Sequence, residues 1–255
     1  IPQAVVFDTS VHQTLPEYAW RYALPRKISD QYAIRRYGFH GISHQSVVKQ
    51  AASFLKTPVN KLNLITIHLG NGASISAIKK GICVDTTMGM TPLEGLVMGT
   101  RPGDLDPGIL TLLARKGWNQ EALETMLNQD SGMKGLCGTN DFREILQNKE
   151  EESEEAEIAL ELYCYRVRKT IGSFRTVIGP VDVLVFTGGV GENVPRVRER
   201  SVRGMEWMNI QLDPDMNDHA EAPCAIHSKD SQTKILVLPS EEEWEMASQA
   251  AELIL

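Results

Sequence analysis

The segment that most constrains the fold is Leu64–Ala77, which reads L-I-T-I-H-L-G-N-G-A-S-I-S-A. A run rich in β-branched residues reaches Leu69, the chain turns through Gly70-Asn71-Gly72, and alternating apolar residues follow. Two such runs around an Asn-Gly turn predict a β-hairpin. Because the turn carries no bulky side chain, its backbone N–H groups can approach an anion closely. An ordinary tight turn without a ligand is the alternative interpretation.

A second glycine-rich segment follows a second apolar strand, Val181–Phe186. Before that strand, Leu160 to Ile178 place apolar side chains at the helical spacing of three and four residues and stop at Gly179-Pro180. A helix, a strand and a glycine turn in succession indicate an α/β fold with parallel strands. The pair of glycine segments favours a nucleotide bound from two sides. The second segment consists of Thr187, Gly188, Gly189, Val190, Gly191, Glu192 and Asn193.

Composition argues against several classes of partner and site. The net charge of −7 over 255 residues argues against nucleic acid or an anionic membrane as the main partner. No run approaches the roughly 18 apolar residues of a membrane span, and the opening residues lack the pattern of a signal peptide. The four cysteines lack C-x-x-C spacing, which favours a reduced, cytoplasmic protein over a disulfide framework or a zinc site. Because the chain starts at Ile1-Pro2, directly upstream of a predicted strand, we expect a piece of a longer protein.

Asp8 and His40 are candidate catalytic residues. Asp8 follows the predicted strand Ala4–Phe7, and strand ends carry the chemistry of α/β folds; capping a turn is its alternative role. His40 lies between glycines in a loop, where an imidazole can donate to an oxyanion. His40 and His44 also have the spacing of a helical metal pair, but the intervening residues lack the glutamate of a zinc protease motif. We expect Ser43 to cap the helix that follows.

A long segment between Thr86 and Pro107 is dense in glycine and proline, which argues against a helix or regular strand. Loops of this length in compact domains are usually functional. Arg101 is its candidate phosphate-binding residue, because a guanidinium is a permanently charged, forked donor. A surface ion pair with Asp104 or Asp106 is the alternative.

The middle of the chain offers a candidate adenine contact. Phe142 and Arg143 have the aromatic and planar side chains that could hold an adenine between them. Asp141 explains the same stretch without a ligand, because it begins the cap-x-x-Glu pattern of a helix start. Just before it, Ser131–Gly138 predicts a glycine-rich loop.

Two more helices are predicted towards the end of the chain. Pro195 opens the first, and we expect its arginines to form a solvated face. Ser240 and Glu243 have the spacing of a capping box at the start of the last helix. The acidic residues there therefore have a structural role whether or not a metal is present.

Taken together, these segments resemble the acetokinase family, which comprises acetate kinases and propionate kinases. The matching segments run from Ala4 to the last helix. They are F-D-T-S-V-H-Q-T (Phe7–Thr14), R-R-Y-G-F-H-G-I-S-H (Arg35–His44), H-L-G-N-G-A-S-I (His68–Ile75), D-T-T-M-G-M-T-P-L-E-G-L-V-M-G-T-R-P-G-D-L-D-P (Asp85–Pro107) and F-T-G-G-V-G-E-N (Phe186–Asn193).

The resemblance implies an α/β actin-like ATPase (ribonuclease H-like) fold, in which helices flank a mixed sheet. It implies reversible, direct in-line phosphoryl transfer from MgATP to acetate or propionate, with Mn²⁺ as a possible substitute for Mg²⁺, in a cytoplasmic homodimer. By this resemblance Asp8, His40 and Arg101 are catalytic, Phe39 and Pro92 line the pocket for the substrate methyl group, and Glu242 is associated with the metal. The implied nucleotide-binding residues are His68, Leu69, Gly70, Asn71, Gly72, Asp141, Phe142, Arg143, Gly189, Val190, Gly191, Glu192 and Asn193.

The resemblance also implies a domain layout. Residues 1–10 would be the end of a first domain, 11–241 a C-terminal nucleotide-binding domain, and 242–255 a final helix that packs with the first domain. The family's N-terminal phosphate loop and a further substrate arginine do not match any part of this sequence. Pro102 stands where serine is usual, and Ser240-Glu241 replace Thr-Asn. A non-catalytic nucleotide-binding or dimerisation module of the same fold is the alternative function.

Overall fold

The computed structural model describes residues 3–150 and 153–254 of the chain. Ile1-Pro2, at the start of the predicted first segment, and Leu255, at the end of the last helix, lie outside the described residues. The strands are β1 (Asn63–Leu69), β2 (Ala73–Lys79), β3 (Ile82–Thr86), β4 (Val183–Thr187), β5 (Cys224–Ala225) and β6 (Lys234–Val237). They form one mixed sheet in the order β3-β2-β1-β4-β6-β5.

Helices cover both sides of this sheet. The α-helices are α1 (Glu17–Trp20), α2 (Arg26–Gln31), α3 (Gly41–Phe54), α4 (Gly108–Arg115), α5 (Gln120–Gln129), α6 (Gly132–Cys137), α7 (Phe142–Glu150), α8 (Glu154–Ile178), α9 (Gly188–Asn193), α10 (Pro195–Val202), α11 (Pro214–Asp218) and α12 (Glu242–Ile254). Short 3₁₀ turns lie at Ser10–Thr14, Val59–Lys61 and Glu206–Met208. In the described residues, no helix is both long enough and apolar enough to cross a bilayer.

The centre of the sheet combines a hairpin with parallel strands. β1 and β2 are the two arms of the predicted hairpin and pair antiparallel over their whole length. β1 also pairs in parallel with β4, with His68 opposite Thr187, and β4 pairs in parallel with β6. The carboxyl ends of β1, β4 and β6 therefore share one edge, which is where open α/β sheets bind ligands.

Side-chain alternation gives the sheet two different faces. On one face, Ile65, Ile67 and Leu69 pack into the larger core together with α8. On the other face, Leu64 packs with the apolar side of α3 in a smaller core. Further along that second face the residues become polar, and they are Thr66, His68, Ser74 and Ser76. The second face thus changes from an apolar core to a polar surface towards the ligand-binding edge.

The structure confirms the predicted hairpin, the long helix α8 and the irregular segment between β3 and α4. The predicted strand Ala4–Phe7 is wrong, because these residues have no regular structure. Val5 and Phe7 are 70% and 65% exposed, and no described strand pairs with this segment. The predicted cap Ser43 is also wrong, because α3 begins two residues earlier with His40 as its N-cap.

Two segments predicted as loop or turn are short helices, α6 and α9. In α6 the backbone N–H of Met133 donates to the carbonyl of Met98, and the Met133 side chain is fully buried. At the start of α9 the backbone N–H of Gly188 donates to the carboxylate of Glu192. Tertiary contacts and an internal cap therefore stabilise helices where the glycine content predicted none.

The arginines of α10 do not form the predicted solvated face. Arg198 is fully buried and Arg200 nearly so. Arg198 donates to the carbonyls of Gly191 and Glu192 and to both the side chain and the backbone of Asn217. A guanidinium can be buried when acceptors surround it, and here it joins α9 to α11. Its sequence neighbours alone could not indicate those acceptors.

The start of α12 also differs from the prediction. Ser240 Oγ donates to Glu242 Oε1 at 3.1 Å, so the expected Ser240–Glu243 capping box is not formed. The backbone N–H of Glu245 donates instead to the carbonyl of Glu241. Glu242 is therefore the first residue of the helix, and its carboxylate accepts from the serine two positions before it.

Candidate functional site

The two glycine-rich segments meet at the carboxyl ends of β1 and β4. Gly188 has φ +78°, and a Cβ on it would lie 2.7 Å from the carbonyl oxygen of Leu69. Only glycine permits both that backbone conformation and that close approach. The β1–β2 turn and the start of α9 are consequently in direct contact, as the sequence interpretation required.

A cleft of about 640 Å³ opens at this junction. A volume of this size is within the range of ligand pockets. It brings together three segments that are far apart in the chain: the β1–β2 turn, the start of α7 and α9. Its lining residues are Gly70, Asn71, Asn140, Asp141, Phe142, Arg143, Gly189, Val190, Asn193 and Val194.

The cleft wall at α7 combines an exposed cation with a buried ring. The Arg143 side chain is 91% exposed and its Nη2 lies 2.6 Å from Asp141 Oδ2. That ion pair lowers the pKa of Asp141 to about 2. Phe142 is only 6% exposed and packs edge-on against Tyr163. Arg143 is therefore the accessible member of the pair, and the adenine contact of Phe142 and Arg143, which both line the cleft, stays a prediction.

Asp8 holds the loop that carries His40. Its Oδ2 accepts a 2.6 Å hydrogen bond from the backbone N–H of His40, and its Oδ1 accepts one of 3.2 Å from Ile42. His40 has φ +55°, which is rare for a residue with a side chain. These bonds go to the start of α3, whereas the alternative role was to cap the turn that directly follows Asp8. The Asp8 carboxylate thereby fixes the backbone from which the His40 side chain projects.

His40 and Arg101 converge beside Gly72. A Cβ placed on Gly72 would lie 2.8 Å from Arg101 Nη2 and 3.2 Å from His40 Nε2. Arg101 also donates from Nη1 to the carbonyl of Pro92 at 2.7 Å. The carboxylates of Asp104 and Asp106 accept backbone N–H groups of Gly95 and Gly108 instead. The predicted surface ion pair is therefore absent from the described residues, and the second Arg101 nitrogen faces the turn.

The imidazoles near this point are neutral at physiological pH. Burial, followed by the nearby His68 and Arg101, lowers the pKa of His40 to about 3. Burial also lowers the pKa of His68 to about 4 and that of His44 well below its usual value. His40 and His68 stack with their ring centroids 4.3 Å apart, an arrangement that two imidazolium cations would not favour. His44 bonds to Thr66 and Ser74.

Glu242 is linked to the histidine pair through two serines. Ser240 Oγ, which donates to Glu242, lies 3.2 Å from Ser43 Oγ, and Ser43 Oγ lies 2.8 Å from His68 Nδ1. The backbone N–H of Ser240 also donates to Glu192. Within the residues that the structure describes, no group of three or more potential ligands is arranged around a metal ion. One carboxylate near the site still fits Mg²⁺, because proteins usually hold this ion by one or two carboxylates together with substrate phosphates.

Each of the two predicted pocket residues adjoins one member of the His40–Arg101 pair. Phe39 precedes His40 and packs, partly buried, against the larger core. Its carbonyl is bonded to His12 Nε2 at 3.1 Å. Pro92 is partly exposed and contacts Arg101 through its carbonyl.

Sequence reasoning missed several residues that the structure brings to the site. Asn140 Nδ2 donates to Asn71 Oδ1 at 2.8 Å and lines the cleft. Ser74 is in β2, and its Oγ lies 2.9 Å from His40 Nδ1. Polar residues at every second position of a buried strand, as in Ser74 and Ser76, are the signal that could have indicated such contacts. Arg198, which supports α9 from behind, has no comparable signal.

The acetokinase family model matches residues 1–248. The chain belongs to the acetokinase family. The acetate kinase of Sulfurovum sp. (strain NBC37-1) is 51% identical over the whole chain, which spans 65% of that protein.

Solved structures agree with this assignment. The crystal structure of Porphyromonas gingivalis acetate kinase has a TM-score of 0.95 and 42% identity, over 98% of this chain and 63% of that one. The crystal structure of a propionate kinase from Francisella tularensis has a TM-score of 0.91 and 41% identity, over 96% of this chain and 62% of that one. The actin-like ATPase fold implied by the sequence is thereby confirmed. The chain spans slightly less than two thirds of the length of these relatives.

Proposed function

We propose that the protein containing this chain is an acetate or propionate kinase, and that this chain supplies its nucleotide site and its phosphoryl-transfer groups. The observation that carries the proposal is the convergence of Arg101 and His40 on Gly72, next to a cleft of about 640 Å³. A carboxylate substrate is already a nucleophile and needs no strong base. Catalysis then depends on alignment and on donors to the equatorial oxygens of the transferring group.

The cleft would take the adenosine part of ATP or ADP, with Arg143 and Asn140 at its α7 side and α9 opposite. The β1–β2 turn, Gly70 to Gly72, would receive the phosphates, because the turn lines the cleft at Gly70 and approaches Arg101 at Gly72. Arg101 would stabilise charge on the transferring phosphoryl group, and neutral His40 would donate to the same group. Asp8 would act by holding the His40 loop.

Glu242 is the proposed contact for Mg²⁺, with Mn²⁺ as a possible substitute. When bound, the ion would neutralise charge on the nucleotide phosphates. Ser240 orients the Glu242 carboxylate by donating to Oε1, which leaves the other carboxylate oxygen for the ion or for its bound water. Phe39 and Pro92 are the proposed apolar contacts of the substrate methyl group. Either acetate or propionate fits this proposal, because one methylene changes binding by only about 1–3 kcal/mol.

The wider arrangement is also proposed from the family. Residues 11–241 would be the nucleotide-binding domain of a two-domain subunit, and 1–10 and α12 would pack with the other domain. The exposure of Val5, Phe7 and Trp244, at 70%, 65% and 74%, supports that packing. We further propose a homodimer in a reducing compartment such as the cytoplasm, consistent with the free state of all four cysteines.

Titration calorimetry of the chain with MgADP tests the nucleotide site. We expect one-site binding, and we expect Gly189→Leu to weaken it at least tenfold. Gly189 lines the cleft and has open space beside it, so a leucine there fills the site without a clash. Gly172→Leu is the matched control, because Gly172 is also a helical glycine with nothing within 4 Å but lies in α8. A folded chain that binds no MgADP, or equal effects of the two variants, would refute the site.

The reaction is tested in the protein that contains this chain, by trapping acyl phosphate formed from MgATP and acetate or propionate. Formation of acyl phosphate supports the kinase. Nucleotide binding without acyl phosphate from either acid supports the alternative, a non-catalytic nucleotide-binding or dimerisation module.

A further inference from the structure

A continuous row of hydrogen bonds lies beneath His40. His40 Nδ1 is 2.9 Å from Ser74 Oγ, and Ser74 Oγ is 2.8 Å from His44 Nε2. His44 Nδ1 is in turn 2.8 Å from Thr66 Oγ1. Ser74, His44 and Thr66 are completely buried. Bulk water therefore does not compete for these bonds, and the polar atoms of these side chains depend on protein partners.

A row of hydroxyls and neutral imidazoles can be polarised in two directions, since each member has one proton to donate. In the forward direction Thr66 donates to His44, His44 donates to Ser74, and Ser74 donates to His40 Nδ1. His40 then carries its own proton on Nε2. In the reverse direction His40 Nδ1 donates into the row and Nε2 presents a lone pair. The direction thus determines whether His40 is a donor or an acceptor towards a ligand.

The far end of the row favours the forward direction. In the reverse direction the Thr66 hydroxyl proton must find another acceptor, and the bond available to it is to the carbonyl of Ser76 at 3.4 Å. In the forward direction that proton goes to His44 Nδ1 at 2.8 Å. Hydrogen bonds to nitrogen or oxygen weaken towards the longer of these distances. Each forward bond is 2.9 Å or shorter, so the forward direction keeps every member well bonded.

We propose that Thr66, His44 and Ser74 are positioning residues that fix His40 as its Nε2–H tautomer and so aim a neutral donor at the transferring phosphoryl group. The catalytic part of this proposal rests on the function proposed above. The assignment of the tautomer does not depend on that function. His40 Nε2 faces the same point beside Gly72 as Arg101 Nη2. A neutral donor there adds a hydrogen bond to the phosphoryl oxygens without placing a second cation against the Arg101 guanidinium.

The tautomer is measured directly by long-range ¹H–¹⁵N correlation NMR of the ¹⁵N-labelled chain. The His40 signals are identified by their loss in His40→Gln. We expect the protonated-nitrogen shift at Nε2 and the lone-pair shift at Nδ1, with and without MgADP. A proton on Nδ1 would overturn the proposal whatever the protein catalyses.

Kinetics of two serine variants test the catalytic part. Ser74→Ala breaks the row, whereas Ser76→Ala removes the same atom from an equally buried residue on the same face of β2. Ser76 bonds to Thr86 at 2.9 Å and to no histidine, which makes it a matched control. We expect Ser74→Ala to lower kcat for acyl phosphate formation about tenfold to a hundredfold, because an oriented transition-state donor is misdirected. Its Kd for MgADP should stay within about twofold, and Ser76→Ala should change neither constant by more than that.

Equal losses of kcat in the two variants would refute the row, because burial of any serine on this face would then explain the effect. An unchanged His40 spectrum in Ser74→Ala would refute it as well. If the wild-type protein forms no acyl phosphate, the proposed function fails, and the NMR measurement still determines whether the row fixes His40.

Discussion

Lowering the pH should destabilise the fold well before its carboxylates titrate. The chain has six histidines, and four of them lie in one group beside the site: His12 and His44 are fully buried, and His40 and His68 are partly buried. Burial lowers the pKa of His12 and of His68 to about 4 and that of His40 to about 3, and it holds the pKa of His44 well below its usual value. In the unfolded chain each returns to about 6.5.

The sign and size follow from proton linkage. As the pH falls below about 6.5, the unfolded chain takes up protons that the folded chain does not, so the free energy of unfolding decreases. Between pH 7 and pH 5.5 each such histidine should lower the free energy of unfolding by about 1 kcal/mol, and the four together by about 4 kcal/mol. His227, whose pKa burial also lowers, adds to this loss. Burial raises the pKa of Asp85, which acts in the opposite direction. The expected loss is a large part of the ~5–15 kcal/mol typical of a domain.

The measurement is urea unfolding at constant ionic strength across this pH range, followed by circular dichroism and tryptophan fluorescence. His12→Gln should reduce the dependence of the unfolding free energy on pH by about a quarter, whatever it does to the stability at pH 7. The control is His219→Gln, because the His219 side chain is 79% exposed and lies outside this group of four histidines. A loss of less than about 1 kcal/mol between pH 7 and pH 5.5 would refute the argument that these imidazoles stay neutral when folded.

Three substitutions test other parts of the site. Arg101→Ala, in the protein that contains this chain, should abolish acyl phosphate formation while leaving MgADP affinity nearly unchanged, and a parallel loss of affinity would contradict its assigned role. Gly188→Ala should lower the free energy of unfolding in urea by at least about 2 kcal/mol and weaken MgADP binding, because residue 188 has φ +78° and its Cβ would meet the backbone of Leu69. Gly172→Ala, at an unstrained helical glycine, should raise the free energy of unfolding by up to about 1 kcal/mol. Arg198→Met should lower the free energy of unfolding in urea by about 3 kcal/mol, because it leaves buried carbonyls without donors. Unchanged stability would show that this guanidinium makes no net contribution to stability.

Much of the candidate site was predictable because its residues lie in short motifs with local causes. The Gly70-Asn71-Gly72 turn follows from an Asn-Gly pair between two strand-forming runs. The position of Arg101 in an irregular segment follows from the glycines and prolines around it. The family resemblance then assigned roles to these positions, and the structure brings Arg101, His40 and the turn together.

The errors have a common origin. Ala4–Phe7 has strand-forming residues but no neighbouring strand in the described part of the chain. α6 and α9 have glycine-rich sequences but gain tertiary hydrogen bonds and an internal cap. Arg198 looks solvated in a stretch of alternating arginines, yet acceptors from α9 and α11 surround it. In each case a partner distant in sequence outweighs the local preference.

The sequence by itself determined the hairpin, the long helix α8 with the strand that follows it, and the membership of a kinase family. Periodicity, turn chemistry and motif spacing act over a few residues, so one chain is enough to read them. Only the tertiary structure decided that β4 pairs with β1 across more than 100 residues of chain, with Leu64 opposite Val183. The same packing placed Thr66, His44 and Ser74 under His40 and excluded water from all three. The direction of that buried row, and with it the proton on His40, depends on distances that no local pattern encodes.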